Sequence, residues 1–593
     1  MLSFKMLQVA LLTAAGAVAA TPAGNAYYQH NLVSDTAGVA DFTDPNLVNP
    51  WGIATTASSP FWVDDGGTGL STVYSSNGAA SSTHAIVPAS ATGPSTSTPT
   101  GIVANGTGGF AVVAGKNPSF IFSTAQGTIS GWASSVDATH AQLMVDNSSL
   151  GAVYYGLAIN STTTTATPIL YAPNFHSGAI DMFDTNYKPV SVTGAFADAS
   201  VPSGYAPFNI WNIGGKLYVT YAKQDAAKQN SVAGAGNGYV AVFDLSGNLI
   251  QHLVSGGQLN APWGVAIAPA TFGAFANDLL VGNFGDGAIN AYDPNSGAYI
   301  GALQDPSGNT IHISGLWALI VGNGGSGGDV NAVYFAAGIG GEQHGLLGSL
   351  QAAPIIGSNA IGNAADVQPA IAANTYVGIY GDSLAATTRT WATRDFVGSQ
   401  LPTSLDGVGV MFDGKPAYVY YISPKQVDVL TPVDPTTGPV QVVLTNNGLV
   451  SGSATVTMQQ FSPAFFLLKD GQSIAALHSD NVSLVGATTL YAGASTPAAP
   501  GETIVLFGTG FGPTNPAIPN GQIVTTPAAL VTTPTITFGG VNATVVFAGL
   551  SSAGLYQFNV TVPPSTPDGN AAVVATIGSV QTAAGTIIAV LHP

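Results

Sequence analysis

One phrase recurs through the first half of the chain and constrains the fold more than any other feature. An aromatic residue or proline, a glycine and an aliphatic residue open a short apolar run in "NPWGIATT" (Gly52), "TPTGIVAN" (Gly101) and "VYYGLAIN" (Gly156). The phrase returns in "APFNIWNI" (Asn209), "APWGVAIA" (Gly264) and, more loosely, "HISGLWAL" (Gly315). Copies spaced this evenly, about 50 residues apart, mark one supersecondary unit used repeatedly. The rest of each unit reads strand, turn, strand, tight turn, strand, as in "LLVGNFGDGAINAYDPNSGAYIGAL". Alternation within "GAINAYD" puts Ile289 and Ala291 on one side and Asn290 and Tyr292 on the other. "DLSGN" and "DPNSG" supply residues that tolerate the backbone angles of a hairpin.

Composition decides what the unit is made of. The chain has two glutamates (Glu342, Glu502), two arginines (Arg389, Arg394), 74 glycines and 37 prolines, a poor vocabulary for helices and a good one for short strands. With 46% hydrophobic residues and 7% charged ones, it is also unlike a disordered chain. The expected class is all-β, and a repeat of this period in such a chain is that of propeller blades. Six anchors predict a six-bladed β-propeller over residues 25–352. "QHLVSGGQLNAPWGVAIAP" from Gln251 is echoed by "QHNLVSD" and "LVNPWGIATT" from Gln29, yet no blade precedes the second copy. The last unit meanwhile stops one strand short, after "HGLLGSLQ". An N-terminal strand near Tyr27–Val33 is therefore expected to complete the last blade and close the ring, which protects otherwise open edges.

Beyond Gln351 the pattern changes. The small-residue-rich stretch 353–372 reads as a linker. Two related segments follow, 373–460 and 461–593, in which "FDG" at Phe412 aligns with "FGG" at Phe538 and "VDV" at Val427 with "FNV" at Phe558. Each holds about seven short strands with turns roughly every ten residues, the spacing of an immunoglobulin-like β-sandwich.

The "PWGIA" and "PWGVA" anchors resemble those of six-bladed propellers of the NHL and lactonase-like superfamily, and more closely an exported, uncharacterised bacterial type. "GTGFGP" (Gly508 to Pro513) resembles the early turn of IPT/TIG immunoglobulin-like domains, from which "GDSLAA" at Gly381 departs. As a pair, the two segments resemble the C-terminal module of exported soil-bacterial proteins. This resemblance implies a spacer or binding module without catalytic residues.

The first 20 residues, with Lys5, an apolar run and Ala17-Val18-Ala19, have the layout of a secretory leader. A secreted, periplasmic or cell-surface address is expected, with no membrane span in the mature chain. A net charge of −18 without any basic cluster argues against nucleic acid and anionic membranes as partners. The absence of cysteine excludes disulfides and thiolate chemistry. The propeller segment has no arginine to clamp an anionic substrate, and its histidines (His140, His176, His252, His312 among them) lack zinc-site spacing.

Three sets of residues carry what chemistry there is. Trp51, Tyr155, Phe208 and Trp263 stand at the anchors, near a propeller's axis, where aromatic rings either stack on a sugar or fill the space between blades. Asp65, Asn174 and Asn283 occupy matching turn positions; they either bind the turn backbone or converge on Ca²⁺. Glu342, in "GEQH", is the propeller segment's one glutamate. Resemblance to lactonase-like propellers implies that it would join Asp65, Asn174 and Asn283 around a divalent cation; otherwise it lies in a surface turn. No cofactor is expected, Ca²⁺ being the one ion these residue types admit. The expected function is non-catalytic recognition of an extracellular glycan or surface protein, with the sandwiches as spacer or attachment. A metal-dependent lactonase and a structural adhesion component are the alternatives.

Overall fold

The computed structural model describes residues 25–91, 93–160 and 167–593. The expected leader lies outside them. Among the described residues, no helix is long and apolar enough to cross a membrane. The chain divides into two compact units, one of them spanning Asn25–Ala352.

Among the described residues, that unit holds six sheets, antiparallel but for the short strand Phe42–Thr43, and the first holds strands Pro50–Ala54, Phe61–Asp65, Leu70–Tyr74 and Ala80–Ile86 in order. The remaining sheets open with Pro99–Ala104, Ala158–Ile159, Tyr205–Ile213, Pro262–Ile267 and Leu316–Val321. Each opening strand packs on the next, and Leu316–Val321 packs back on Pro50–Ala54. The sheets thus form a closed ring, a β-propeller, with the anchor phrases on its innermost strands. The anchor glycines follow from this crowding. A Cβ on Gly264 would collide with the Trp317 carbonyl oxygen, and one on Gly156 with the Asn209 side chain. Asn209 takes glycine's place in the fourth copy because its amide is used: Nδ2 donates to the Trp263 carbonyl at 3.0 Å, tying two inner strands together.

The last sheet contains strand Tyr27–Ser34, antiparallel to Leu346–Ala352, with Tyr27 opposite Ala352 and Ser34 opposite Leu346. Ser34 Oγ donates to the Gly345 carbonyl (2.7 Å), and the Tyr27 hydroxyl to the Phe272 carbonyl (3.1 Å). The start of the described chain is therefore bonded to two different sheets of the ring.

The other unit contains residues 353–593. Here the expected linker is corrected: Ile355–Asn363 pairs antiparallel with Tyr376–Asp382, and Ala370–Ala372 runs parallel to Ala454–Gln459. The small residues hid the apolar positions that matter, since Ile361 and Ile371 are buried in the core. Five- and seven-stranded sheets face each other across that core, which also holds Val419, Val442 and Met458. Nine- and five-stranded sheets enclose a second core around Phe511, Phe538 and Phe558. Tyr376, Tyr420, Phe466 and Leu555 share a third apolar cluster that joins the two halves.

Candidate functional site at a plugged channel

The innermost strands bring all four anchor aromatics to the middle of the ring. Trp51, Tyr155, Phe208 and Trp263 are 5%, 8%, 1% and 1% exposed and belong to one cluster with Phe175 and Trp317, against which Phe284 packs. Trp51 stacks on Trp317 with centroids 3.4 Å apart and on Tyr155 at 5.2 Å. Trp263 stands edge-on to Trp51 and to Trp317, and Phe208 edge-on to Tyr155. Trp263 Nε1 donates to the Tyr155 carbonyl at 2.8 Å. Of the two expected uses, packing is the one found and an open sugar-stacking platform is not: large residues at equivalent places in a closed ring meet and bury one another's faces as a plug. Trp317 was not among the expected residues. It follows Gly315 by two positions, whereas the other anchor rings precede the glycine or take its neighbouring place.

The oxygen-bearing set is not brought to one ion. Asn174 Oδ1 accepts from the Val153 N–H (3.3 Å) while its Nδ2 donates to Asp181 (3.0 Å). Asn283 Oδ1 accepts from the Asn260 N–H (3.0 Å), and its Nδ2 donates to the Gln258 carbonyl (2.8 Å). Both asparagines are thus committed to turn backbone, the commoner use of such residues. Asp65 is fully buried and accepts from Thr72 Oγ1 at 2.7 Å. Burial holds its pKa well above the usual carboxylate range; the Thr72 bond opposes this and the adjacent Asp64 adds to it. Among the described residues, no three histidine or acidic side chains are grouped so as to hold a metal ion. The expected Asp65, Asn174, Asn283 and Glu342 set does not fit a shared cation.

Glu342 stands apart from that set. It ends a short turn, Ile339–Glu342, between strands Val333–Ala337 and Leu346–Ala352. Gly340, Gly341 and Glu342 are all left-handed, with φ of 63°, 68° and 67°. Two glycines take this conformation freely, but a glutamate does so at a cost of about 1 kcal/mol, a kind of strain that concentrates at functional sites. The turn brings Glu342 to Asn49, just before the first inner strand. Asn49 Nδ2 donates to Glu342 Oε2 at 3.0 Å, and Asn49 Oδ1 accepts from Trp317 Nε1 at 3.2 Å. The plug therefore holds the amide that holds the carboxylate. Burial raises the Glu342 pKa, with the Asn49 bond offsetting part of the effect. Two residues on, His344 Nδ1 lies 2.8 Å from Asp35 Oδ2, and the Gly345 N–H donates to Asp35 Oδ1 at 2.9 Å. Burial would raise the Asp35 pKa, but the Gly345 bond and the His344 partner outweigh it and leave it lowered. Burial thus shifts the Glu342 carboxyl upward, while the Gly345 N–H and His344 shift Asp35 downward.

Where the inner strands finish, the chemistry reverses. A cavity of about 390 Å³ opens there, lined by Ile53, Ile159, Ile320 and Trp211, and no ionisable side chain lines it.

No family model matches the chain. Two proteins of Acanthamoeba polyphaga mimivirus are similar to it in sequence. Uncharacterized protein R648 is 35% identical over 329 residues, 54% of this chain and 78% of that protein. Uncharacterized protein L690 is 33% identical over 329 residues, 54% of this chain and 84% of that protein. Among solved structures, a catalytically inactive virginiamycin B lyase from Staphylococcus aureus, with quinupristin, covers 55% of this chain and 98% of its own, at 13% identity and a TM-score of 0.32. The soluble aldose sugar dehydrogenase of Escherichia coli covers 55% and 99%, at 10% identity and a TM-score of 0.32.

Proposed function

The chain belongs to the family of the mimivirus proteins R648 and L690, and from that premise we propose that it is an exported recognition protein for a hydroxyl-rich extracellular glycan. In this reading the ring is a six-bladed NHL-like propeller closed by its N-terminal strand. The second unit is a pair of immunoglobulin-like sandwiches, the later one IPT/TIG-like, serving as spacer or attachment. Residues 1–20 act as a leader that directs the chain out of the cell, and catalysis is not part of the role.

One observation supports this reading above the others: the aromatic plug fixes Glu342 through Trp317 and Asn49 in a strained turn. A carboxylate held this way accepts hydroxyl hydrogen bonds with little ordering cost, and charge-assisted bonds contribute roughly 1.5–3 kcal/mol each. A lactonase-like metal centre would need oxygens that the turns already use. A glycan array probed with the full chain tests the reading. Binding to neutral polysaccharides is expected, weakened about tenfold by Glu342→Gln. Absence of glycan binding, or binding indifferent to that substitution, would remove the mouth as the site.

A further inference from the structure

We propose that the cavity at the finishing ends of the inner strands binds an uncharged, mainly apolar small molecule carrying a flat ring. The proposal concerns the opposite end of the ring from Glu342 and does not depend on the glycan reading.

The wall is mainly apolar, with Ile53, Ile159 and Ile320 contributed by three different inner strands and Thr55, Thr56, Asn105 and Asn212 among them. Trp211 is the one aromatic side chain among the lining residues. It stands edge-on to Trp263, centroids 6.4 Å apart, so the plug holds this indole in place at the cavity wall. The volume of about 390 Å³ falls within the roughly 300–1,000 Å³ of small-molecule sites and is too small for a folded partner.

Both asparagine amides in the lining are already engaged, while Trp211 Nε1 is buried without a partner and leaves one donor for a single ligand acceptor. Asn105 Nδ2 donates to the carbonyls of Gly109 and Pro118, at 3.1 and 3.0 Å. Asn212 Nδ2 donates to the Ile159 carbonyl at 2.9 Å. A charged ligand would lose its hydration and find no opposite charge, a penalty that excludes it. An apolar ring loses nothing on entry and gains contact with the Trp211 indole. Selection here is by shape and neutrality.

The test uses N-phenyl-1-naphthylamine, an uncharged apolar fluorophore, with the full chain. Saturable binding of one molecule per chain is expected, insensitive to salt. The anionic analogue 1-anilinonaphthalene-8-sulfonate should bind at least tenfold more weakly. Ala104→Phe, which fills the cavity, should reduce affinity at least tenfold. Ala57→Trp, at an exposed lining position, should do the same without touching the core, so misfolding cannot account for both. Absence of saturable binding, or binding unaltered in both variants, would overturn the proposal. Glycan binding by the same variants reads the other end separately.

Discussion

At the end of the ring where the inner strands begin, Glu342 and Asp35 sit beside Asn49 and His344. Where the same strands finish, Ile53, Ile159 and Ile320 surround Trp211. One set of strands therefore leads from an acidic mouth to a neutral cavity, with the aromatic plug between. The difference lies in the loops. Turns joining the second and third strands carry Asp65, Asn174, Asn283 and the "GEQH" run in four of the sheets; the two asparagines accept from backbone N–H groups, Asp65 from Thr72 and Glu342 from Asn49. Among the hairpins joining the first and second strands, "TTASS", "ANGTGG" and "NIGG" hold no acid, whereas the fifth and sixth sheets place Asp278 and Asp329 there. The neutral cavity is thus lined from the hairpins that lack an acid, and neither Asp278 nor Asp329 reaches its wall.

The largest expected effect comes from joining the two ends. Trp317 is 1% exposed and stacks on both Trp51 and Phe284, so Trp317→Ala should destabilise the ring by about 3–5 kcal/mol in chemical denaturation. It should also free Asn49 and enlarge the fluorophore cavity at once; a change confined to one end would break the picture of a shared plug. A smaller effect separates the ends by pH. Because the folded-state pKa of Glu342 is raised, the native chain keeps a proton that the unfolded chain has lost. Its contribution to stability therefore falls as pH rises from the ordinary carboxylate pKa through the raised one. Glu342→Gln should flatten that part of the melting-temperature profile, while fluorophore affinity stays level across the same range. The smallest effect lies midway. Asn209→Gly restores the repeat's glycine but removes the bond to Trp263, for a loss of about 1 kcal/mol with both ligand sites intact. No loss of stability would mean that the amide bond between inner strands contributes nothing net.

Reading the sequence located the repeat, the anchors and the pairing of Tyr27–Ser34 with the last sheet, because each leaves a local trace. Period, an aromatic beside a glycine, and an echoed strand are all visible in one dimension. It misjudged 353–372, where Ile361 and Ile371 are sparse among small residues, and it left the four aromatics either on a sugar platform or in the packing between blades, of which the packing is found because a ring of sheets turns them against each other. It named Glu342 and left open a turn or a cation set with Asp65, Asn174 and Asn283; the turn is what is found, without the cation set. Its partner Asn49 is nearly three hundred positions away, a separation that no local spacing encodes.

What this sequence determines unaided is the strand-and-turn grammar: where strands start, which turn residues close them, and that the units are alike enough to stack. Tertiary structure alone decides that the anchors plug the axis, that the plug holds Asn49 and so Glu342, and that the cavity at the other end is lined without an ionisable side chain. The reason is physical. Turn and strand preferences act over a few residues, whereas burial and side-chain pairing depend on which distant segments ring closure brings together.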